Sequence, residues 1–141
     1  MSRLLPSAAC FVLLLNPSCR QESPSPAAVQ PPALDLPASV RVLAVDEAAA
    51  LLRASPAPTL LDLREDWEIQ AEGRIPGSIW ADFLNDERFA AAVGKLDPAQ
   101  PCLLYCALGT RARFAAQKLS ERGFTHLYLL EGGLEAWLQA G

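Results

Sequence analysis

Histidine is almost missing from this chain: His126 is the only one among 141 residues. It precedes Leu127-Tyr128 at an expected strand start, where a surface or turn role is the ordinary one, and nothing else supports a Cys–His protease. Also missing is any stripe of basic residues. The net charge is −4, which argues against a nucleic-acid partner. No apolar run reaches the ~20 residues that a membrane-spanning helix needs, so a permanent transmembrane anchor is not expected. Cysteine is scarce in the part of the chain able to fold. Of four in all, Cys10 and Cys19 fall in the N-terminal leader and leave Cys102 and Cys106. Four positions apart on one extended strand sets their Cα atoms roughly 13 Å apart, beyond the limit of about 7 Å for a disulfide. Cys102 is read as a core residue.

What is present begins with a leader over residues 1–19. Arg3 supplies a basic start, Ala8 to Leu15 an apolar centre, and Asn16-Pro17-Ser18-Cys19 a polar end, the layout of an export signal. It resembles a bacterial lipoprotein signal with Cys19 as the lipid site, although Leu15 stands one position further from the cysteine than usual. The mature protein is therefore expected in the periplasm or lipid-anchored at the cell envelope. Residues 20–37 are rich in Pro, Ser and Ala and read as a flexible linker. Residues 38–141 then form one domain, and an apolar content of 51% suffices for a core.

Within that domain strands and helices alternate. Strands are expected at Val40 to Val45, Thr59 to Leu63, Ser78 to Ala81, Pro101 to Tyr105 and Leu127 to Leu130. Helices are expected after Asp46 as N-cap, around Trp67 and Ile69 as anchors, from Asn85 to Val93, from Arg111 to Arg122, and from Leu134 to Gln139. Gly73 to Gly77 forms a turn, and Gly132-Gly133 breaks the chain before the last helix. The pattern implies a mainly parallel α/β sheet covered by helices on both faces. The acidic cluster Glu65, Asp66, Glu68 and Glu72 reads as a solvated face.

The chemistry is concentrated in Cys106-Ala107-Leu108-Gly109-Thr110-Arg111. Cys106 ends a buried strand, at the sheet edge where open α/β proteins bind ligands. Thiolates are stabilised by helix N-termini and nearby cations. Gly109 can take the positive φ that turns successive N–H groups inward as an anion nest, and Thr110 is the expected N-cap. Arg111 falls in the first helical turn, against the macrodipole, so something anionic is expected to offset it. Arg113 adds a second cation that need not face the same way.

Leu61-Asp-Leu-Arg64, Gly73-Arg-Ile-Pro-Gly-Ser78, Tyr105-Cys-Ala-Leu-Gly-Thr-Arg111, Gly123-Phe124 and Leu130-Glu-Gly-Gly133 with Trp137 together resemble a single-domain rhodanese. The resemblance implies a rhodanese-like fold and a sulfurtransferase needing no cofactor or metal. Cys106 would attack a sulfane sulfur of a small donor such as thiosulfate, hold it as a persulfide, and pass it to a thiol or cyanide-like acceptor. The backbone of Ala107 to Arg111 would cradle the sulfur, and Arg111 would hold the loop or an anionic donor. Asp62 and Arg64 match the family's Asp-x-Arg and read as support below the site. Arg74 replaces the family's usual histidine. Thiolate exchange needs no general base, so His126 is not required.

Two other functions compete. A cysteine-dependent phosphatase or arsenate reductase also wraps a Cys-to-Arg loop around an anion, but with one residue more between the two than Ala107 to Thr110 provide. A tethered sulfur-relay or binding module would pass the persulfide of Cys106 to a protein partner with little turnover of small donors.

Overall fold

The computed structural model describes residues 35–141. The leader with Cys10 and Cys19, and most of the linker, lie outside the described residues. Strands and helices alternate in the order β1 (Val40–Leu43), α1 (Val45–Leu52), β2 (Thr59–Asp62), α2 (Asp66–Glu72), β3 (Ile79–Trp80), α3 (Asp86–Val93), β4 (Cys102–Tyr105), α4 (Thr110–Glu121), β5 (Leu127–Leu130) and α5 (Gly133–Ala140). The strands form one sheet in the order β1-β5-β4-β2-β3, with every neighbouring pair parallel. This is the doubly covered parallel architecture expected from the sequence.

Strand alternation sorts the core into two layers. Leu61, Leu63, Leu104, Leu127 and Leu129 pack on one face with Phe89 and Val93 of α3 and Ala112, Ala115, Ala116 and Leu119 of α4. Leu43, Leu60, Leu103, Tyr105 and Leu130 pack on the other with Ala48, Leu51 and Leu52 of α1 and Leu134 and Trp137 of α5. β4 sits mid-sheet between β5 and β2, and all its residues are buried, which explains why Cys102-Leu-Leu-Tyr105 carries no polar alternation.

The first helix starts earlier than expected. Ala44 occupies the N-cap position. Asp46 lies in the first turn, where an acidic group complements the macrodipole. The neighbouring Glu47 carboxylate accepts the Ala44 N–H at 3.0 Å, a reach-back of the capping-box kind that makes a capping side chain at Asp46 unnecessary. β1 accordingly ends at Leu43 rather than Val45.

Candidate active site

Because the strands are parallel, the connections after β2, β3, β4 and β5 all emerge at one edge of the sheet. The β4–α4 connection contains Cys106, whose side chain is buried. Gly109 has φ +97° and is the N-cap of α4. This left-handed turn folds the chain back so that the Gly109 N–H donates to Cys106 Sγ at 3.1 Å. Thr110, expected as the N-cap, is instead the first helical residue, and no side chain caps α4. The glycine turn has taken over the job of ending the loop, and the helix N-terminus stays open to an anion.

A second helix holds the loop from behind. At the N-terminus of α5, Leu134 N–H donates to the Cys106 carbonyl at 2.8 Å and Glu135 N–H to the Ala107 carbonyl at 3.1 Å. With these carbonyls turned toward α5, the amides that follow them can face the sulfur. Gly133 has φ +62°, and a Cβ there would collide with the Cys106 and Ala107 carbonyl oxygens. Of Gly132-Gly133, read from sequence only as a chain break, it is thus Gly133 that packs directly against the carbonyls of the loop.

Below the loop Arg64 is completely buried. Asp62 Oδ1 accepts Arg64 Nε–H at 3.0 Å and the Arg64 backbone N–H at 3.1 Å, and Asp62 Oδ2 accepts Arg64 Nη2–H at 2.8 Å. The Tyr105 hydroxyl donates to Asp62 Oδ2 at 2.7 Å and accepts the Ile75 N–H at 3.1 Å. Arg64 also donates to the Gly73 carbonyl and pairs with Glu72 at 3.2 Å. Burial works against the Arg64 charge, but the hydrogen bonds and charge of Asp62 outweigh it and leave the guanidinium more basic than usual. Burial pushes the Tyr105 phenol up. This network joins β2, β4 and the Gly73–Ser78 turn beneath the cysteine.

Arg111 is brought beside the same site from α4. Its Nη1 and Nη2 donate to the two carboxylate oxygens of Glu68 in a bidentate pair. Glu68 Oε2 also accepts the Glu65 N–H at 2.9 Å. The Arg111 hydrogen bonds hold the Glu68 carboxyl below its ordinary range, and Glu68 in turn raises Arg111, with smaller contributions from Cys106. This corrects the solvated-face reading of the acidic cluster, since Glu68 is buried and Glu72 reaches Arg64. It also corrects the expected anchoring of α2. Trp67 is 65% exposed, and the buried residue of that helix is Glu68. The missed signal was spacing: Glu65, Glu68 and Glu72 recur at helical intervals and so share one face.

The remaining thiol and imidazole stand apart. Cys102 begins β4, at the opposite end of the strand from Cys106, and burial pushes its thiol up to about 11. His126 precedes β5 at that same far edge, exposed, with Nδ1 2.9 Å from Thr125 Oγ1. Beside the loop lies an open cavity of about 430 Å³ lined by Glu72, Ala107, Leu108, Glu135, Leu138 and Gln139.

The structure is a parallel α/β domain with a buried thiol at the carboxyl end of its central strand, met by a backbone N–H of the following loop. The chain belongs to the rhodanese family: the Rhodanese-like domain matches residues 44–140. A thiosulfate sulfurtransferase GlpE from Shewanella oneidensis is 35% identical over 81 residues, covering 57% of this chain and 76% of that protein. Among solved structures, the polysulfide-sulfur transferase homodimer of Wolinella succinogenes is 31% identical, with a TM-score of 0.61 over 74% of this chain and 77% of that one. A Rhodopseudomonas palustris protein of unknown function, described as a possible tyrosine phosphatase, is 29% identical, with a TM-score of 0.63 over 73% and 83%. At the level of the family, then, the function is sulfur transfer.

Proposed function

We propose that this protein moves a sulfane sulfur from a donor such as thiosulfate to a thiophilic acceptor through a persulfide on Cys106. The observation that carries this reading is the Gly109 N–H aimed at Cys106 Sγ at 3.1 Å, in a loop whose carbonyls are tied back to α5. In the first step the Cys106 thiolate attacks the outer sulfur of thiosulfate. A bond forms between Sγ and that sulfur, the sulfur–sulfur bond of the donor breaks, and its electron pair leaves with sulfite. In the second step a thiolate or cyanide attacks the outer sulfur of the persulfide and returns Cys106 as the thiolate. Neither step consumes a proton, in keeping with an active edge that lacks an imidazole.

The relatives named as thiosulfate sulfurtransferases support a thiosulfate-type donor. The four residues between Cys106 and Arg111 favour a sulfur atom over the phosphate of the Cys-to-Arg phosphatases. One feature favours a protein acceptor as a second reading: Leu108, in the loop itself, is 63% exposed and lines the adjacent cavity with Leu138. The export-signal reading of residues 1–19, with Cys19 as the proposed lipid site, places this activity at the cell envelope as part of the same proposal.

The test is mass spectrometry of the purified protein after incubation with thiosulfate or an organic persulfide. A mass gain of one sulfur on wild type that disappears in Cys106→Ser is the expected result. No adduct with either donor would overturn the proposal.

A further inference from the structure

Sulfur transfer brings a negatively charged donor to a thiolate, and Arg111 is the cation best placed to ease that approach. Its guanidinium is already engaged. Both terminal nitrogens meet Glu68, a buried carboxylate anchored on its other side by the Glu65 N–H at 2.9 Å. Arg64, deeper in the site, is matched in the same way by Asp62 at 2.8 Å and Glu72 at 3.2 Å. Both of these guanidinium groups therefore have carboxylate partners from the protein, and neither is left unpaired to meet an anionic donor. Glu135 and Glu72 line the neighbouring cavity and add no positive charge to it.

We infer that Glu68 is a specificity-determining positioning residue: by pairing with Arg111 it holds back part of that cation's charge from the donor, which narrows the advantage of dianionic thiosulfate and admits singly charged organic persulfides as donors. This rests on the sulfurtransferase reading and goes beyond it by naming the donor class. With a persulfide R–S–S⁻, the Cys106 thiolate bonds to the outer sulfur, the donor's sulfur–sulfur bond breaks, and R–S⁻ leaves with the electron pair. With thiosulfate the same exchange releases sulfite, and one more negative charge must approach and depart. Arg111 left unpaired would offset that extra charge. Glu68 in place reduces the offset, while its bidentate grip keeps the guanidinium against the loop.

The experiment measures the rate of sulfur loading on Cys106 in the full chain, with thiosulfate and with the persulfide of N-acetylcysteine methyl ester. Wild type is compared with Glu68→Gln and Glu68→Asp. Removing the charge in Glu68→Gln should raise the thiosulfate-to-persulfide rate ratio about tenfold, the effect of one unit charge acting a few ångströms away in a partly screened site. Glu68→Asp, which keeps the charge, should hold the ratio within about twofold of wild type. A merely structural Glu68 would slow both donors together and leave the ratio unmoved in Glu68→Gln, which overturns the inference while the wild type still loads sulfur. Failure of the wild type to load from either donor is a separate result that overturns the sulfurtransferase reading itself. Should Glu68→Gln fail to fold, a salt series on the wild type decides. The thiosulfate rate should rise with ionic strength more steeply than the persulfide rate. A thiosulfate rate that falls with salt reveals an available cation and overturns the inference.

Discussion

Asp62 and Arg64 are both fully buried, with Asp62 accepting from the guanidinium, so removing Asp62 leaves the buried Arg64 with only the half-exposed Glu72 as a carboxylate partner. Asp62→Ala is expected to cost about 3–5 kcal/mol, read as a lower urea midpoint. Asp62→Asn, which keeps an acceptor for Tyr105, should cost less. Glu68 gives a pH signature with a definite sign. Its folded carboxyl lies below the ordinary range because Arg111 holds it ionised. Its contribution to stability is present above the unfolded carboxyl value of about 4.3 and is lost as pH falls through the folded value. Acid titration of Glu68→Gln should show a shallower loss of stability than wild type. Cys102 has the opposite dependence. Burial raises its thiol to about 11, so its contribution is complete below the unfolded value of about 8.5 and disappears as pH rises toward the folded one. Cys102→Ala should flatten the decline of stability over that alkaline range in equilibrium unfolding.

At the scale of elements, α4 and α5 meet through the loop rather than through a shared apolar seam. α4 contributes its N-terminus from Gly109, and α5 contributes two backbone N–H groups to the Cys106 and Ala107 carbonyls. Gly133 is the contact point of this arrangement, because its φ is left-handed and a Cβ would strike those same carbonyls. Gly133→Ala is expected to cost about 1–3 kcal/mol in backbone strain. It should also lower the sulfur-loading rate by up to about a hundredfold, since a displacement near 1 Å misaligns the attacking sulfur. Stopped-flow loading beside urea unfolding separates the two effects. The helix α2 shows how an element can be legible while its orientation is not. Hydrophobic anchoring assigns Trp67 inward, yet the partly buried Arg111 draws Glu68 in, the buried Arg64 pairs with the half-exposed Glu72, and Trp67 is left outside.

For the whole molecule, the parallel sheet collects chemistry from distant parts of the chain. Asp62, Arg64, Cys106, Arg111 and the N-terminus of α5 come to one edge, while Cys102 and His126 lie at the other. The export-signal reading of residues 1–19 sets a further expectation at this scale: a labelled fatty acid should be incorporated into wild type expressed in a bacterial host and not into Cys19→Ala. Absence of label from wild type would remove Cys19 as a lipid site.

The sequence by itself determined the alternation of strands and helices, the burial of Cys102-Leu-Leu-Tyr105, and the glycine turn that follows Cys106. Those features depend on local periodicity, on glycine's access to positive φ, and on residue types a few positions apart. Only the tertiary structure decided what faces Arg111. Its partner Glu68 lies 43 positions away, and whether a carboxylate on an amphipathic helix meets water or a guanidinium depends on which face the packing buries. Tertiary packing also made Gly133 a clamp, because its constraint comes from the carbonyls of a loop far back in the chain and not from its own turn.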